Sequence, residues 1–138
     1  MKKNRGFSLI EMMVSLLIIT IVSCIITLKI SDYFKILKFH SDIYSIRSII
    51  QKVRVRAILK YETLKVSFKD SGLNILKYDG KKWRKIKTYD FDGITLKSNN
   101  TPIFHPYGTV SKLFSLYIIS KNGIKKITMN INGRINIY

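Results

Sequence analysis

Lys2-Lys3-Asn4-Arg5-Gly6-Phe7-Ser8-Leu9-Ile10-Glu11 leads into an apolar run that reaches Leu28. A short basic head ends at a glycine. From Phe7 to Leu28 the only charged residue is Glu11. As a helix, these ~22 residues span ~33 Å, the thickness of a bilayer core. A carboxylate that deep in hydrocarbon costs several kcal/mol unless it is neutralised or paired. Glu11 therefore reads as the functional centre of the segment.

This head resembles the type IV prepilin signal, in which basic residues and a glycine precede Phe-Thr/Ser-Leu-Ile-Glu and an apolar helix. Gly6, Phe7, Ser8, Leu9, Ile10 and Glu11 fit it position by position. The resemblance implies that a membrane peptidase cuts between Gly6 and Phe7 and methylates the new Phe7 amine. It also implies that the apolar helix is kept and packed with others in a filament. There Glu11 can meet the positive Phe7 amine of a neighbouring subunit, and each charge removes the other's isolation cost.

Two other readings of the head stand beside this one. A secretory signal peptide would need an Ala-x-Ala site, which does not follow, and Glu11 interrupts its apolar region. Ile21-Val22-Ser23-Cys24 has the form of a lipoprotein signal with Cys24 acylated, but the apolar run continues through Ile25, Ile26 and Leu28. As a small apolar residue in a membrane helix, Cys24 needs no special role.

The chain has 138 residues, enough for one domain and an anchor. Its single cysteine excludes an internal disulfide. The formal net charge is +17; setting aside Lys2, Lys3 and Arg5 from 25 basic residues, and Glu11 from 8 acidic ones, leaves +15 on Lys29–Tyr138. Such a balance attracts nucleic acid or anionic lipid head groups. It also follows from composition, since lysine greatly outnumbers arginine and isoleucine and asparagine abound, as in AT-rich coding sequence.

Beyond Leu28 the helix is expected to continue to about residue 60. Ile30, Tyr33, Phe34, Leu37, Ile43, Ile46, Ile50, Val53 and Ala57 recur at three- and four-residue steps, one face of an amphipathic helix. No proline occurs before Pro102 and no glycine between Gly6 and Gly72. The strands expected after it are Thr63–Phe68, Leu73–Tyr78, Lys82–Lys87, Gly93–Lys97, Leu113–Ile119, Ile124–Asn130 and Arg134–Tyr138. Asp79-Gly80, Asn122-Gly123 and Asn132-Gly133 mark tight turns. Alternation of Ile127, Met129 and Ile131 with Thr128 and Asn130 predicts one buried face. Helix first and strands after makes the class α+β, a long helix docked on an antiparallel sheet.

The soluble part resembles the GspH/FimT family of minor pilins and pseudopilins. Arg54, Ala57-Ile58 and Val66-x-Phe68 match its late-helix and first-strand pattern. Trp83 matches a tryptophan on a following strand. Phe104, Pro106 and Gly108 match Phe-x-Pro-x-Gly, and Gly133-Arg134-Ile135 the closing hairpin. The resemblance implies a pilin-like fold in three parts: a leader at 1–6, a transmembrane or filament-core helix at 7–28, and a periplasmic domain at 29–138. Some FimT-type members bind DNA through a C-terminal Gly-Arg-x-Arg. Here Asn136 stands in place of the second arginine, which removes one cation while keeping a hydrogen-bonding group.

No catalytic constellation is visible, so an enzyme is not expected. His40 and His105 are far apart in sequence, no Cys/His metal spacing exists, and no phosphate loop or serine elbow occurs. No cofactor or small-molecule substrate is implied. Outside the anchor the sharpest candidate is Lys81-Lys82-Trp83-Arg84-Lys85-Ile86-Lys87, which could neutralise phosphates and stack a base. On a strand, alternation places Lys82 and Arg84 on one face and Lys81, Trp83 and Lys85 on the other. A solvated edge strand, guarded by lysines against aggregation, explains the same run.

The resulting expectation is a structural subunit of a type II secretion pseudopilus or a type IV pilus, at or near its tip. It would be anchored in the bacterial inner membrane and processed by a prepilin peptidase, with other pilins or pseudopilins as partners. The alternative is a DNA-binding minor pilin for natural transformation, with Lys82, Arg84, Lys85 and Arg134 as contacts.

Overall fold

The computed structural model describes residues 8–130 and 132–138, the side chains of 27–29 and 31 excepted. Gly6 and Phe7 lie outside the described residues, as does Ile131. The chain divides into two compact units, Met1–Leu37 and Lys38–Tyr138. One helix, α1 (Leu9–Leu59), contributes to both.

In the first unit α1 is preceded by Ser8, whose carbonyl accepts the N–H groups of Glu11 (3.0 Å) and Met12 (3.2 Å). The Ser15 hydroxyl donates to the Glu11 carbonyl and that of Thr20 to the Leu17 carbonyl, so these polar groups are satisfied within the helix. Leu9–Ile26 is long and apolar enough to cross a membrane, with mean hydropathy 2.6 and none of its residues buried. Ile30, Tyr33, Phe34 and Leu37 are also exposed. That part of the expected apolar face is therefore not buried.

In the second unit the helix buries Phe39, Ile43, Ile46, Ile49, Ile50, Val53 and Ala57. The three- and four-residue steps hold from Ile43 onward, and Phe39 extends the stripe one turn earlier. The helix stops at a residue with positive φ, Tyr61 (51°), where the Glu62 N–H reaches back to the Ala57 carbonyl at 3.1 Å. This back-bond satisfies a carbonyl that has no further helical donor.

Eight strands follow: β1 (Leu64–Lys69), β2 (Gly72–Tyr78), β3 (Trp83–Asp90), β4 (Thr95–Ser98), β5 (Ile103–Phe104), β6 (Phe114–Ser120), β7 (Gly123–Met129) and β8 (Ile135–Ile137). They form two antiparallel four-stranded sheets, β3-β2-β1-β5 and β4-β6-β7-β8. The expectation of a long helix followed by antiparallel strands holds, with the strands shared between two sheets. Leu64, Val66, Leu73 and Ile75 from one sheet and Leu96, Leu116, Ile118, Ile127 and Met129 from the other close a common core with the helix. Phe68 and Phe114 stack across it with ring centroids 5.6 Å apart.

Ile127 and Met129 are buried while Thr128 is half-buried and Asn130 exposed, as their alternation predicted. At the turns only the glycines take positive φ: Gly80 (83°), Gly123 (143°) and Gly133 (76°), while Asn122 and Asn132 do not. The two-residue β5 was not anticipated. It follows Pro102 and closes on Leu64 and Lys65 of β1.

Candidate functional site

Arg54 lies on α1, half-buried, and ties the helix to two turns. Its Nε donates to the Gly108 carbonyl at 3.2 Å and its Nη1 to the Gly133 carbonyl at 3.4 Å. The Gly108 turn is built by His105-Pro106-Tyr107-Gly108, with the Gly108 N–H on the His105 carbonyl at 2.9 Å and Gly108 at φ 80°. Proline second and glycine fourth suit such a turn. The Gly133 turn is closed by the Gly133 N–H on the Asn130 carbonyl at 2.8 Å. The three motif positions Arg54, Gly108 and Gly133 are thus one hydrogen-bonded assembly.

Arg134 follows that turn and is exposed. Asn136 pairs with Thr128 across β7 and β8. Two residues apart on an extended segment, Arg134 and Asn136 project to one side. That side carries one cation where the Gly-Arg-x-Arg pattern would carry two.

The basic run lies at a sheet edge. Lys81 and Lys82 are in the turn, and β3 pairs only with β2. Trp83 opposes Tyr78, and Lys85 opposes Leu76, whose β1 partner is Lys65. These five residues therefore share one face. Arg84 opposes Lys77, which opposes the buried Leu64, so Arg84 is on the other face. Ile86 is an extra residue between Lys85 and Lys87, where the register shifts beside Ile75 and Leu76. The bulge places Lys87 with Arg84, which strict alternation would not have done.

The sequence singled out Trp83 but not its neighbours. Its ring centroid is 5.2 Å from that of Tyr78, and the Lys65 ammonium sits 5.5 Å from it. Tyr78 and Trp83 flank the four-residue Asp79–Lys82 turn, whereas counting outward from Asp79-Gly80 alone would have paired Tyr78 with Lys81. Beside them Glu62 accepts from Lys77 Nζ (3.0 Å) and Arg56 Nε (3.2 Å). The Lys77 hydrogen bond chiefly holds the Glu62 carboxyl below its usual range, against the opposing pull of burial.

Glu11 sits in the first turn of α1, and its carboxylate has no salt-bridge partner among the described residues. Cys24 is a free, exposed thiol within the helix. His105 hydrogen-bonds the Ser111 hydroxyl across the Gly108 hairpin. Among the described residues no cluster of His, Cys, Asp or Glu could hold a metal.

Residues 1–26 match the family model described as the prokaryotic N-terminal methylation motif. No curated protein matches the chain. Among solved structures, the minor pseudopilin EpsH of the Vibrio cholerae type 2 secretion system is similar at TM-score 0.63 and 18% identity, over 73% of this chain and 96% of that one. A second structure of the same pseudopilin matches at TM-score 0.61 and 16% identity, over 72% of this chain and 92% of that one. The fold is that of the minor pseudopilins and minor pilins. The type IV minor pilin FimU of Pseudomonas aeruginosa shares it, at TM-score 0.59 and 18% identity, over 72% of this chain and 87% of that one. Minor pseudopilin and minor pilin are the two kinds of protein that the sequence resemblance named. In this minor-pseudopilin fold the Arg54 assembly joins the helix to the turns before β6 and β8.

Proposed function

We propose that the protein is a structural subunit of a type IV filament, either a secretion pseudopilus or a pilus. The observation that carries this reading is one chain holding both parts of such a subunit. An exposed 18-residue apolar helix segment with Glu11 as its sole charge follows a prepilin-type head. The same chain folds into a domain shared by a minor pseudopilin and a minor pilin. An isolated apolar segment of this kind needs lipid or other apolar helices around it.

In this reading a prepilin peptidase cleaves between Gly6 and Phe7 and Phe7 is N-methylated. The helix then waits in the inner membrane with the domain in the periplasm. On assembly Glu11 pairs with the Phe7 amine of a neighbouring subunit, and the domain sits at or near the filament tip. Glu11→Ala tests it in cells. Cleavage and methylation at Phe7, read by intact mass, should persist, while the mutant's share in sheared filaments should fall at least tenfold. Undiminished incorporation would sink the Glu11–Phe7 pairing, and absence of the parent protein from the filaments would sink the reading. The rival, a DNA-binding minor pilin, has less support: Lys82, Arg84, Lys85 and Arg134 are spread over a turn, two faces of β3 and the segment before β8.

A further inference from the structure

At the C-terminal end of α1 one residue combines an unfavourable backbone with a side chain that gives the fold nothing. Tyr61 takes φ 51° at the helix stop. Glycine occupies this left-handed position without steric cost, and a tyrosine does not. Tyr61 is 78% exposed, and its side chain makes no hydrogen bond or ring contact among the described residues.

Other apolar groups are exposed at the same end of the domain. Leu59 is 75% exposed. The Tyr78 N–H donates to the Thr63 carbonyl at 2.9 Å, which brings Tyr78 and its ring partner Trp83 next to the helix stop. Around these groups Lys60, Lys65 and Lys82 are in no salt bridge among the described residues. The nearby carboxylate, Glu62, is already held by Arg56 and Lys77.

We propose that this end of the domain docks another protein, one that offers an apolar patch rimmed by aspartate and glutamate. Tyrosine and tryptophan contribute most to binding when such a contact buries them. The lysines select the occupant. A second copy would set the same uncompensated cations against each other, whereas an acidic rim neutralises them. Nucleic acid fits less well, because exposed Leu59 offers nothing to a phosphate or a base edge. The surface uses neither Phe7 nor Glu11, so the proposal goes beyond the filament reading.

The test uses the full chain in the cells that make it, with the photo-crosslinker p-benzoylphenylalanine at position 59, 61 or 107. Tyr107, 87% exposed in a different turn, is the control position. Positions 59 and 61 should capture one protein that 107 does not, through a peptide of net negative charge. Lys60→Glu with Lys82→Glu should lower that yield at least fivefold. No adduct, an adduct to nucleic acid or to a second copy, or a yield indifferent to charge reversal overturns the proposal. Tyr61→Gly, read from position 59, should abolish the adduct. It should also leave the melting temperature of the detergent-purified chain unchanged or a few degrees higher. A lower melting temperature would mean that the ring supports the fold, and would overturn the proposal. Intact mass at Phe7 in the same cells reports separately on processing and anchoring.

Discussion

The guanidinium of Arg54 fills the space that a β-carbon on Gly133 would need, well inside contact distance, while it donates to the Gly133 carbonyl. Two constraints meet at that glycine, since it also holds φ 76°. Gly133→Ala should therefore cost about 2–4 kcal/mol, about half from the left-handed backbone and the rest from the displaced guanidinium. Arg54→Ala should cost about 1–3 kcal/mol through its two lost hydrogen bonds. In the Arg54→Ala background Gly133→Ala should cost about 1 kcal/mol less than alone, a coupling that denaturation of all four variants measures. Strict additivity would mean that the guanidinium and the turn do not share their space in solution.

Glu62 gives the fold a pH dependence of known sign. Its carboxyl is held below the ordinary 4.5, first by the Lys77 hydrogen bond and further by Arg56. Its contribution is therefore complete above about pH 4.5 and is lost as pH falls through the lower folded-state value. Glu62→Gln should be less stable than the parent at pH 7, with the gap closing below about pH 4.5. Burial raises the Asp42 carboxyl, which acts in the opposite sense, but Asp42 is present in both proteins and cancels in the comparison. A gap constant from pH 7 to pH 3 would contradict the assignment.

Binding of the full chain to duplex DNA should be weak and strongly dependent on salt. Arg84 and Lys85 point to opposite faces of β3, and Arg134 lies in the turn segment just before β8 of the other sheet. Arg134→Ala and Lys82→Ala/Arg84→Ala should each flatten the log–log salt dependence by about one unit per phosphate contact removed. Neither should abolish binding. If one of them abolished binding near physiological salt, a dedicated DNA site would replace the filament-subunit reading as the leading function.

The helix and seven of the eight strands were legible because their signals are local. Asp79-Gly80, Asn122-Gly123 and Asn132-Gly133 punctuate the strands, and the buried stripe from Ile43 to Ala57 keeps a helical step. What escaped depends on partners distant in sequence. Ile103–Phe104 is too short to show a period, and it is a strand only because Leu64 and Lys65 lie beside it. The division into two sheets is likewise a matter of tertiary pairing. At the candidate surfaces Trp83 stood out by residue type, whereas Tyr61 did not. A left-handed helix stop is signalled by glycine, and here the position holds an aromatic.

The Arg54–Gly133 hydrogen bond joins residues 79 positions apart in a chain with one cysteine, Cys24. It is a mechanical shortcut. Tension entering along α1 can reach the last hairpin through this side chain as well as through the shared core. While it holds, helix and C-terminal hairpin share load; once it gives, the load falls on the buried core, on the β7–β8 ladder and on the Lys126–Tyr138 and Asn130–Arg134 backbone hydrogen bonds at its two ends.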